Sequence, residues 1–157
     1  MNDWADDMAE RITALKEDQQ IKDANFVEKQ RIKRMKGEPL WREVRNHVTQ
    51  NCGALNAKLA QQVLTVEVGP GDLGPRRLRD STEIHVRADI GDARRFLHVT
   101  FDTKTCTLAW HCEEGKSGQW EIVVNDDGSA TFAAWGAGVL SDPSTIASEM
   151  LTALLGF

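Results

Sequence analysis

Apolar residues recur at helical spacing from the start of the chain, in two stretches of different strength. From about Asp3 to Lys36, the positions Trp4, Met8, Ile12 and Leu15 share one helical face. The stripe thins through Glu17-Asp18-Gln19-Gln20 and returns weakly as Ile21, Ala24, Val27, Ile32 and Met35. Acids gather at the beginning (Asp3, Asp6, Asp7, Glu10) and bases at the end (Lys29, Arg31, Lys33, Arg34, Lys36). That order complements the helix dipole and favours a helix. Gly37 reads as a stop, and Pro39 sits where the first turn of a new helix tolerates proline. The second helix, over residues 39–61, is the stronger amphipath. Trp41, Val44, Val48, Cys52, Leu55 and Leu59 advance by threes and fours, so they line one side.

From Val63 the period changes to two. Leu64, Val66 and Val68 alternate with Thr65 and Glu67, and the Gly/Pro-rich segment 69–75 then breaks the chain into a loop. Five further strands are predicted over 83–87, 96–102, 105–112, 119–125 and 130–135. Their links are short, so they form hairpins and the sheet is an antiparallel meander. Centring one turn on Gly91-Asp92 pairs Val86 with Leu97 and Ile84 with Val99. Centring the next on Thr103-Lys104 pairs Val99 with Leu108, Leu97 with Trp110 and Phe101 with Cys106. A loop at Asp126-Asp127-Gly128 pairs Val124 with Ala130, Ile122 with Phe132 and Trp120 with Ala134. Apolar meets apolar in every pair, and a one-residue slip would turn each strand inside out.

A cap residue followed by proline, in Ser141-Asp142-Pro143-Ser144, opens a last helix over 142–155 with Ile146, Met150, Leu151 and Leu154 on one side. The expected architecture is α+β in one domain spanning residues 1–157. A long charged helix over 1–36, free to project, comes first. The helix at 39–61, a six-stranded antiparallel sheet at 63–135 and the C-terminal helix follow. The last helix and part of the second cover the apolar sheet face.

Composition narrows the function classes. The 157 residues are 41% hydrophobic and 27% charged, with a net charge of −5. An acidic chain with no stacking platform is a poor candidate for a dedicated nucleic-acid binder. No apolar run approaches the length that crosses a bilayer. The acidic start, Asn2-Asp3-Trp4-Ala5-Asp6-Asp7, is unlike a signal peptide. Three cysteines without a C-x-x-C pair suit a reducing compartment, so a cytoplasmic protein is expected. Cys52, Cys106 and Cys112 all fall on core positions, where a thiol acts as a small hydrophobe.

Candidate chemistry lies on the other sheet face. The registers set His85 opposite His98, and His111 beside Phe96, one rung diagonal from His98, with Glu121 flanking His111 from the next strand. Imidazoles and a carboxylate on neighbouring strands are zinc-type ligands. Phe96, Ala109, Val123 and Trp135 share this face; they line a ligand groove, form a dimer contact or are covered by the chain's own helices, and helix cover is the simplest of the three. Basic clusters at Lys29–Lys36, at Arg76, Arg77 and Arg79, and at Arg94-Arg95 offer phosphate contacts. No catalytic signature or phosphate loop is present. The expectation is a non-enzymatic binding or adaptor protein without a cofactor, self-associating through its first helix. The alternatives are a metal-dependent or small-ligand enzyme on the His85/His98/His111 face, and a nucleic-acid or anionic-surface binder on the basic clusters.

Overall fold

The computed structural model describes residues 3–68, 82–113 and 115–157. Helix α1 (Asp3–Leu59) leads into strands β1 (Leu64–Val68), β2 (Glu83–Ile90), β3 (Ala93–Asp102), β4 (Thr107–Cys112), β5 (Ser117–Val124), β6 (Ala130–Ala134) and β7 (Leu140–Ser141), and helix α2 (Pro143–Leu155) closes the chain.

The two expected N-terminal helices are one helix of 57 residues. Gly37 does not stop it, because that glycine is a packing contact. A Cβ there would lie 3.3 Å from the Cys106 sulfur and 3.4 Å from Phe101 and Ile122, a tight fit that glycine relieves where the backbone approaches the sheet. Pro39 lies inside the helix with its ring exposed. A proline in a helix interior costs about 3 kcal/mol, and docking of the turns that follow it offsets that penalty.

The sheet has seven strands in sequential order, all antiparallel, rather than the expected six. The extra strand, β7, is two residues long, too short to show a period. It pairs Ser141 with Phe132 and Leu140 with Ala133. β6 ends at Ala134, so Trp135 leaves the sheet and is exposed instead of joining the histidine face. The β2–β3 and β5–β6 registers are the expected ones. The β3–β4 register is not. Its loop holds four residues, Thr103–Cys106, because the Asp102 carboxylate accepts backbone N–H bonds from Lys104 (2.8 Å) and Thr105 (3.2 Å), and Cys106 takes a positive φ of 54°. Val99 therefore pairs with Trp110, Leu97 with Cys112 and Phe101 with Leu108. A shift of two keeps the side-chain parity, so both faces are as expected while every partner changes.

Helix α2 starts where the cap signal put it. Asp142 accepts the Thr145 N–H at 2.7 Å, Pro143 follows, and Gly156 ends the helix in the left-handed conformation. The C-terminal half of α1 and the buried side of α2 cover one sheet face. Trp41, Val44, Val48 and Cys52 from α1 meet Ile146, Met150 and Leu154 from α2 over Val86, Leu97, Leu108, Ile122 and Phe132. Trp41 stacks on Phe101 with ring centroids 5.7 Å apart. Each such side chain contributes roughly 1.5–3 kcal/mol by leaving water.

Among the described residues, no helix covers the opposite face, contrary to expectation. His85, Phe96, His98, Thr100, Ala109 and Val123 are half-buried there. The C-terminal half of α1 and the apolar side of α2 are already committed to the core. Ion pairs make this face compatible with water: Arg87 donates to Glu67 (3.1 Å) and Asp89 (3.0 Å), and Arg94 to Asp89 (3.0 Å). No helix among the described residues is long and apolar enough to cross a membrane.

Candidate metal centre

Glu83 and His85 stand two residues apart on β2, so the pleat points both to the open face. His98 lies directly across from His85 on β3. The two-residue shift then places His111 directly across from His98 instead of on the diagonal, while Phe96 keeps Arg87 as its partner on β2. Three imidazoles thus form one row across three adjacent strands. The His85 and His98 rings stack with centroids 4.3 Å apart and planes 8° from parallel, and His111 meets His98 edge-on at 5.0 Å.

One carboxylate oxygen of Glu83 accepts hydrogen bonds from His85 Nε2 (3.1 Å) and His98 Nε2 (2.5 Å). An ionised carboxylate can only accept, so in this arrangement each Nε2 carries its proton. The hydrogen bond from His98, and secondarily that from His85, hold the Glu83 carboxyl below its ordinary range. One donor atom from each of Glu83, His85 and His98 lies within 4.8 Å of the others. Zinc bonds nitrogen and oxygen at about 2.0–2.2 Å, so modest side-chain rotations would close the three around an ion. A cavity of about 240 Å³ lies before them, lined by His85, Phe96, His98, His111 and Glu113.

Glu121, the carboxylate expected beside His111, is elsewhere. Ser117 faces His111, and Glu121 pairs with Thr107, four residues or about 13 Å further along β5. The carboxylate that does arrive, Glu83, was missed, although the Glu-x-His spacing at the start of β2 was visible. Of the basic clusters, Arg76, Arg77 and Arg79 lie outside the described residues. Lys29 pairs with Asp126 (3.4 Å), Arg31 with Glu28 (2.6 Å) and Arg94 with Asp89, so these bases face carboxylates of the chain itself. The three cysteines are buried, as expected of core residues. Burial pushes the Cys52 thiol up to about 11 and raises that of Cys106.

Comparison with protein-family models, with curated proteins and with solved structures finds no match for this chain. What the site does is therefore argued from its own geometry.

Proposed function

We propose that this is a non-enzymatic binding protein whose ligand is a first-row divalent cation of the zinc class. Glu83, His85 and His98 bind it, and His111 stands next to them as a further donor. The observation that carries this reading is the convergence of three donor atoms from two strands on an open sheet face. Imidazole with carboxylate suits zinc, cobalt, nickel and copper, whereas calcium and magnesium prefer oxygen alone. Binding moves the Nε2 protons of the coordinating rings to Nδ1 or to solvent, and the Glu83 carboxylate exchanges two hydrogen bonds for a metal bond.

The test is calorimetric titration of zinc, cobalt and nickel into untagged protein stripped with a chelator. One equivalent of metal should bind, with a melting temperature that rises with metal concentration. His98→Ala should abolish binding, and Glu83→Gln should weaken it about tenfold or more. No heat at millimolar metal, or equal binding by wild type and His98→Ala, overturns the proposal.

A further inference from the structure

The row of α1 that docks on the sheet does not end where the sheet ends. Trp4, Leu15, Phe26, Gly37, Val48 and Leu59 recur at intervals of eleven, with Met8, Gln19, Gln30, Trp41 and Cys52 as a second such row beside them. Eleven residues make almost three whole turns, so each row stays on one face along the helix. From Gly37 to Cys52 that face is closed by the sheet and by α2. From Asp3 to Lys29 every residue is exposed except the half-buried Met8. Trp4 is 77% exposed, Leu15 69% and Phe26 64%. The first contact with the sheet comes at Asn25, Glu28, Lys29 and Ile32, beside the β5–β6 turn. Residues 3–24 therefore form an arm about 33 Å long that carries the docking row and has nothing of its own to dock on.

Charge specifies the occupant. Residues 3–18 hold six carboxylates and two bases, and residues 19–36 hold six bases and two carboxylates. A second copy of the arm laid antiparallel sets the acidic half of each against the basic half of the other, whereas a parallel copy sets like on like. Packing gives the same answer. A helix lying along the exposed row meets the sheet at Gly37. An antiparallel partner ends there, but a parallel partner would have to continue through it. We infer that two copies of this chain associate through antiparallel pairing of their α1 arms, centred near Gln19 where the acidic and basic halves meet, with their sheets at opposite ends.

Light scattering of the full chain at tens of micromolar should give twice the mass of one chain. Leu15→Lys should give a single chain whose sheet domain still melts cooperatively, because Leu15 is exposed in its own copy. The native cysteines are buried, so introduced thiols report direction. Under mild oxidation Gln19→Cys should crosslink to itself and Trp4→Cys should not. A single-chain mass for wild type, a dimer that survives Leu15→Lys, or self-crosslinking of Trp4→Cys each overturns the inference.

Discussion

Cys52 lies on the docked face of α1, and no charged group compensates for its loss of water: burial alone raises its thiol from 9.0 to about 11. A thiol whose value is higher folded than unfolded stabilises the fold fully below the unfolded value, and that contribution disappears as pH rises through the folded one. The window here runs from about 9 to about 11. Wild type and Cys52→Ala, compared by urea unfolding at pH 7, 9 and 10.5, should show a stability difference that narrows at the upper end; a constant difference would mean the thiol ionises equally in both states. At the metal centre, His111→Ala should weaken zinc without abolishing it, because Glu83, His85 and His98 remain. The cobalt visible spectrum of that variant should differ from wild type, and identical spectra would remove His111 from the ligand set. Residue type and parity alone placed the thiols in the core and the histidines on the other face. The donor set depended on more. Glu83 meets His98 through the β2–β3 pairing, and His111 meets it through a loop whose length Asp102 decides. Partners across strands are set by such loops, and the period-two pattern is blind to a shift of two.

Among the elements, helix boundaries show the same limit. Gly37 followed by Pro39 has the composition of a break, yet the helix runs through, with the glycine packed closely against Cys106 and Phe101. Strand β7 has two residues and no period to read, whereas α2 carried its cap, its proline and its stripe within the sequence. Gly118 was not singled out from the sequence, yet its place across from Trp110 matters. A Cβ at 118 would come within 2.8 Å of the Trp110 ring, whose Nε1 is buried without a hydrogen-bond partner. Gly118→Ala should therefore destabilise the protein by about 1–3 kcal/mol, the usual range for overpacking. Leu108→Ala, at a fully buried position two residues along β4 from Trp110, should cost about 2–5 kcal/mol by leaving a cavity. Trp110 is only half-buried, so Trp110→Ala should destabilise less than its size suggests. Chemical unfolding orders the three variants, and a neutral Gly118→Ala would show that the indole moves aside freely.

Across the whole molecule, the arm and the sheet domain differ in what holds them. The domain is held by a buried core, while residues 3–24 have exposed ion pairs such as Asp7–Arg11 and Asp18–Lys22 and almost no buried surface. Exposed pairs of this kind contribute little, and most helical stability in proteins comes from packing of an apolar face, which residues 3–24 lack within their own copy. Its order is therefore expected to depend on pairing, and pairing depends on concentration. A chain lacking residues 3–24 keeps Gly37, Trp41, Val44, Val48 and the whole sheet, so it should fold and unfold as one cooperative unit. Its melting temperature should be the same at one and at one hundred micromolar. The full chain should behave differently: its helical signal at 222 nm should grow with concentration, because mass action favours the paired state. If the full chain shows no such growth, the arm is helical without a partner. If the truncated chain melts well below the full one at high dilution, the arm stabilises its own domain. The two results separate an arm held by a second copy from one held by the chain that carries it.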